Sequence, residues 1–205
     1  MSLEDLCGLL VKLLQSRESE KAIQLIESNP ELVDIALELP SADESARCSR
    51  PIHHSAATGN EKVLRYLLKK GISADRPGYE LKRPLHDAVI RHSCSAIKIL
   101  VEAGANIDAE NEFGETPIDF TVEADWDMEI VFDFLLSLGA KPGLGVAVRF
   151  GRLAMARSIL EGDDERAKKR FSNQFVGALF DYLDWDDVDH TGMRELLLEF
   201  GFREE

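Results

Sequence analysis

The sequence predicts an all-α solenoid of stacked helical hairpins, and three regularities carry that prediction. Pro51-Ile52-His53, Pro84-Leu85-His86 and Pro117-Ile118-Asp119 begin at an interval of 33 residues, twice in succession. Sixteen residues after the first two prolines stand Leu67-Leu68 and Leu100-Val101, followed by Gly71 and Gly104; after the third, Leu135-Leu136 and Gly139 arrive two residues late. The same ending recurs at Leu25-Ile26 with Asn29 and at Leu197-Leu198 with Gly201, and is clipped at Ile159-Leu160 with Gly162, so six hairpins are expected.

Each element has a physical cause. A proline in the first turn of a helix loses no hydrogen bond and presets φ, so each Pro starts a short first helix. A second helix then ends in a Gly or Asn suited to the left-handed C-cap. Two short helices cannot bury both faces alone. Stacking them builds a continuous core, for which Ala56, Val63, Leu67, Val89, Ile97, Leu100, Val122, Ile130 and Leu135 are the candidates. The two-residue delay in the third unit marks an insertion around Asp125-Trp126.

Composition bounds the function. With 44% hydrophobic and 30% charged residues the chain has apolar material for a core and does not read as disordered. Its 24 basic and 38 acidic side chains leave a net charge of −14, which argues against nucleic acid and against anionic membrane surfaces as partners. Cysteines 7, 48 and 94 are odd in number and widely spaced, so neither a disulfide framework nor a four-cysteine zinc site is expected. The start MSLEDLCGLLVKLL lacks a basic n-region, and the expected location is the cytoplasm.

Charge is unevenly placed. Residues 1–100 balance at 14 basic and 14 acidic, whereas 101–205 hold 10 and 24. Residues 111–140 contain eight carboxylates, at Glu112, Glu115, Asp119, Glu123, Asp125, Asp127, Glu129 and Asp133, and no Lys or Arg. Repulsion among these gives no reason for their accumulation, which is instead read as a surface for attracting a cationic partner, with solubility as the competing explanation.

The 33-residue period, with RPIHHSAATGNEKVLRYLLKKG, RPLHDAVIRHSCSAIKILVEAGANIDAENEFG and ETPIDF, resembles the ankyrin repeat, whose signature is T-P-L-H-x-A, then G and LLxxGA. The resemblance implies one domain over residues 1–205: an N-terminal capping repeat at 5–34, clear repeats at 50–77, 78–110 and 111–140, a divergent repeat at 143–162 and a C-terminal capping hairpin at 171–203. It departs from the family where Arg50 and Arg83 replace Thr before Pro, and where Cys48 and Leu81 replace the finger-turn glycine; Pro77-Gly78 is expected to supply a type II turn instead.

The resemblance implies a non-enzymatic protein–protein interaction module that binds a partner on its finger and inner-helix surface. The implied contacts are Tyr79, Glu80, Lys82, Ile90, Arg91, Glu112, Phe113, Glu115 and Glu123, with Ala57, Thr58 and Ala124 beside them. The expected partner is a protein with a basic surface, bound by a monomer without cofactor. It also implies that His53 and His86 are buried and hydrogen-bonded between neighbouring repeats.

His86, His92 and Cys94 lack a closing set of metal ligands, and Asp187-Val-Asp-His-Thr-Gly192 resembles a calcium loop whose twelfth residue is Leu198 rather than a carboxylate. No phosphate loop, nucleophile elbow or zinc-protease motif occurs. The run Arg166, Lys168, Lys169 and Arg170 reads as a solvated face, and Trp126 and Trp185 as lids over the core. Two alternatives are an acidic immunity or antitoxin-type inhibitor of a basic protein, and an enzyme or small-ligand receptor with a pocket near the C-terminal repeats.

Overall fold

The computed structural model describes residues 2–36, 50–122, 128–165, 168, 178–181, 183 and 189–203. Among these the regular elements are all helical, as the period predicts, and no strand is present. No helix among them is long and apolar enough to cross a membrane. The chain forms two compact units, residues 1–112 and 113–205.

In the first unit, α1 (Leu3–Gln15) starts on a reciprocal cap. The Ser2 hydroxyl accepts the Asp5 N–H at 3.1 Å, and the Asp5 carboxylate accepts the Ser2 N–H at 2.9 Å. Helix α2 (Ser19–Ser28) and a 3-10 turn, Pro30–Asp34, complete the first hairpin. Two further hairpins follow, α3 (Pro51–Ala57) with α4 (Glu61–Lys69) and α5 (Pro84–Ile90) with α6 (Cys94–Glu102). Arg50 and Arg83 take nearly the same extended conformation, with φ −97 and −95°, because the proline that follows excludes the helical region for its predecessor.

One turn joins the helices of these pairs. Asn60 N–H donates to Ser55 O and Ser93 N–H to Ala88 O, both at 2.8 Å, around a left-handed residue, Gly59 or His92. The outer helices end alike. Gly71 and Gly104, both at φ 88°, let the next N–H reach back to Leu67 O and Leu100 O. Ile52, Leu64, Leu67, Leu85, Ile97 and Leu100 are fully buried between the helices.

Asn29 departs from its expected left-handed cap, at φ −139°, since Pro30 holds its predecessor extended; its side-chain amide instead donates to Leu25 O at 2.9 Å. The type II turn expected at Pro77-Gly78 is also absent. Gly78 sits at φ −110°, and the left-handed residues are Glu80 and Leu81, at 53 and 56°. The turn closes through Gly78 N–H to Lys82 O at 2.9 Å and Lys82 N–H to Tyr79 O at 3.0 Å.

The second unit opens with Pro117–Thr121, then α7 (Glu129–Ser137), α8 (Leu144–Arg149), α9 (Leu153–Glu161), a short turn of helix, α10 (Ala178–Asp181), and α11 (Met193–Glu199). Pro117–Thr121 is a 3-10 turn where a short α-helix was expected: the Thr121 hydroxyl bonds Ile118 O at 2.7 Å, and the expected insertion lies in 123–127, outside the described residues. A second correction concerns Ile130, expected in the core and found 71% exposed. The buried stripe of α7 is Met128, Val131, Phe132 and Leu135, spaced three and four apart, and Ile130 falls off it. Gly162 likewise stays out of the left-handed region, at φ −74°. Helix α8 is buried along its whole length, and Ala156, Leu160, Met193, Leu196 and Leu197 share its core.

Candidate functional site

Five of the expected contacts lie on two adjoining pieces of the first unit. Tyr79, Glu80 and Lys82 form the 78–82 turn; Ile90 and Arg91 sit at the end of α5, both exposed. Glu112 joins the turn through its backbone, donating its N–H to Glu80 O at 3.0 Å. Lys82 and Glu80 pair at 2.9 Å with side chains only 17 and 22% exposed, so the turn presents a neutral pair rather than two free charges. Leu81 is left pointing outward, 49% exposed.

In the second unit, Phe113 is exposed and Glu115 half-buried. Glu123 and Ala124 lie outside the described residues, as do Trp126, Trp185, Cys48 and most of the basic run. Ala57 and Thr58 are half-buried on α3, where the Thr58 hydroxyl donates to His54 O at 2.7 Å.

The acidic segment proves to have structural work. The Asp119 carboxylate accepts the Thr116 N–H at 2.8 Å and its hydroxyl at 2.7 Å, capping the turn that follows. Glu129 and Asp133 share the Arg152 guanidinium at 2.8 and 3.0 Å. Arg152 in turn lies over the Phe132 ring, which stacks on Phe150 at 4.6 Å, and Arg149 covers Phe150. Three of the eight carboxylates are therefore explained by stability, contrary to the expectation that repulsion is their only local effect.

Both motif histidines are buried, His53 to 2% exposure and His86 fully. His53 Nε2 faces Lys82 O of the following repeat at 3.3 Å, as expected. His86 Nδ1 accepts the Arg83 N–H at 2.9 Å and so caps its own helix, in the register that Asp119 fills one period later. Burial pulls the His53 and His54 rings down to about 4, which keeps both neutral. The His53 ring also occupies the space above Gly78, where a Cβ would lie 2.7 Å from Nε2. Gly78→Ala is therefore expected to cost about 1–3 kcal/mol by displacing an enclosed ring, a shift readable in urea denaturation.

Asp87 was not singled out in the sequence. It stands where His54 stands one period earlier and Phe120 one period later, so an acid at a register position that elsewhere carries an aromatic side chain was the signal available. Asp87 is half-buried, and that burial pushes its carboxyl group up to about 7 against the opposing fields of Lys82 and Arg91.

No group of three or more His, Cys, Asp or Glu among the described residues is placed to hold a metal ion. Of the calcium-loop residues, Asp189 accepts the Thr191 N–H at 2.9 Å, and Gly192 turns the chain into α11 at φ 77°.

Residues 20–111 match the model of the family described as ankyrin repeats, in three copies. The chain is 25% identical over 134 residues, 64% of its length, to the E3 ubiquitin-protein ligase KEG of Arabidopsis thaliana, covering 8% of that protein. It is 31% identical over 88 residues, 40% of its length, to human Ankyrin repeat and SOCS box protein 16, covering 19%. Mouse synphilin-1 is 37% identical over 70 residues, 32% of the chain and 7% of that protein. The chain thus spans a small part of each.

Proposed function

We propose, from the premise that this chain carries ankyrin repeats over residues 20–111, that it is a non-enzymatic module binding a partner protein through its finger and inner-helix face. Ankyrin repeats are in general protein-interaction modules, and the partner here is a protein with a basic surface, met by a cytoplasmic monomer without cofactor. The contacts are Tyr79, Glu80, Lys82, Ile90, Arg91 and Glu112, with Phe113, Glu115 and Glu123 proposed on the same sequence grounds.

The observation that supports this most is the bond from Glu112 N–H to Glu80 O, which fixes the finger turn with Leu81 outward and Glu112 exposed beside it. Two successive left-handed residues without a glycine are a costly way to hold an exposed leucine, and such strain concentrates at binding sites. Net charge favours a cationic partner by steering its encounter.

Affinity capture on the immobilised chain, followed by stopped-flow association, tests the reading. Glu112→Lys together with Glu115→Lys is expected to slow association by about tenfold at low salt and to flatten its salt dependence, with the melting temperature nearly unchanged. Unaltered association at low salt would assign the acidity to solubility.

A further inference from the structure

Asp87 on α5 and His54 on α3 hold the same register in neighbouring repeats. Helical spacing places each on one face with the residues three and four positions on, Ile90 and Arg91 in one case, Ala57 and Thr58 in the other. That face is open, since Ile90 and Arg91 are exposed. Enclosed polar groups are nearly always hydrogen-bonded. His54 Nε2 is buried without a partner, whereas the half-buried Asp87 carboxylate keeps access to this open face and, among the described residues, no hydrogen bond or ion pair reaches it.

The charged and titratable surroundings are few. Lys82 is paired with Glu80, Arg91 lies one turn further along α5 in solvent, and His53 and His54 on α3 are neutral. On α6, Lys98 and Glu102 lie 4.0 Å apart, the weakest of contacts, and Cys94 begins the helix; His92 is exposed in the turn before it. An anionic group entering this face would meet an unpaired carboxylate, and the net charge of −14 adds to its repulsion. A cation would supply the missing partner.

We propose that Asp87 is the acceptor for an arginine or lysine side chain of the bound partner, with exposed Ile90 bordering the aliphatic stem of that side chain. This rests on the binding-module reading and adds a chemical determinant to it. A cation held there requires the ionised carboxylate, so binding displaces the proton that burial retains near neutrality. With the free carboxyl at about 7, affinity gains about tenfold from pH 6 to pH 8.

The test titrates the peptide acetyl-Gly-Arg-Gly-Arg-Gly-amide into the full chain by heteronuclear NMR at both pH values, with the Glu-for-Arg peptide as the comparison. Saturable shifts at Asp87, Ile90 and Arg91, about tenfold tighter at pH 8, are expected. Asp87→Asn, near isosteric and checked for fold by circular dichroism, should remove the pH dependence and weaken binding at pH 8 by about tenfold. His92→Asn should leave both unchanged. Equal affinity at the two pH values, no saturable shift, preference for the glutamate peptide, or undiminished binding by Asp87→Asn overturns the proposal. If a captured partner binds Asp87→Asn and the wild type alike while Glu112→Lys with Glu115→Lys impairs it, the acceptor assignment falls and the module reading stands.

Discussion

Replacing Phe132 with alanine is expected to destabilise the second unit by about 3–5 kcal/mol, the cost of an emptied aromatic site in a closed core. Phe132 is fully buried, stacks on Phe150 and supports the Arg152 guanidinium that gathers Glu129 and Asp133. Loss of the ring removes the surface on which that cation rests, so the two carboxylates lose order as well. Two residues earlier the same helix gives the opposite expectation. Ile130, 71% exposed, should tolerate alanine within about 0.5 kcal/mol. Urea denaturation of both variants, followed by tryptophan fluorescence and circular dichroism, checks the pair. Similar losses at the two sites would mean that α7 is rotated from the orientation described.

The second large effect is on the pH dependence of stability. His53 and His54 are held at about 4, against 6.5 in the unfolded chain, so their contribution is present above pH 6.5 and is lost as pH falls toward 4. Asp87 acts in the opposite direction. Its folded carboxyl, at about 7, keeps a proton that the unfolded residue releases near 3.8, so stability rises as pH falls through that window. Between pH 4 and 6.5 these three groups leave the unfolded state with two protons more and one fewer, a net of one. The expected slope from these groups is about 1.4 kcal/mol per pH unit in the wild type and about 2.7 in Asp87→Asn, where only the histidines remain. The variant should be more stable by about 1–3 kcal/mol at pH 8 and lose that advantage near pH 4. Chemical denaturation at half-unit pH steps measures both curves, and parallel curves would refute the enclosed carboxylate.

How far the sequence carries can be seen at individual residues. Proline starts and glycine stops were legible because each depends on one residue's φ, and Gly71, Gly104, Gly139 and Gly201 all adopt the left-handed cap that the pattern implies. Asn29 departs from the expected cap because its neighbour Pro30 outranks its own preference. Ile130 lies outside the core expected for it because the two-residue delay before α7 changes the register, and a period counted across such a delay no longer says which face a residue takes. At the candidate site, the resemblance to the ankyrin repeat implied the finger turn and the end of α5. It did not reveal that Lys82 and Glu80 neutralise each other, nor that Arg152 draws Glu129 and Asp133 together across about twenty residues, because such pairing depends on three-dimensional neighbours. The interest of Asp87 required its enclosure to be known, since an acid on a helix usually faces water.

In the proposed binding mode the finger turn and the open face of α5 receive the partner. Hydrogen–deuterium exchange of the full chain, alone and with the captured partner, reads this most directly. Slowed exchange is expected over residues 79–82, 87–91 and 112–115, with α4 and α6 unchanged. Protection confined to α4 and α6, with the finger turn and α5 exchanging as in the free chain, would contradict it.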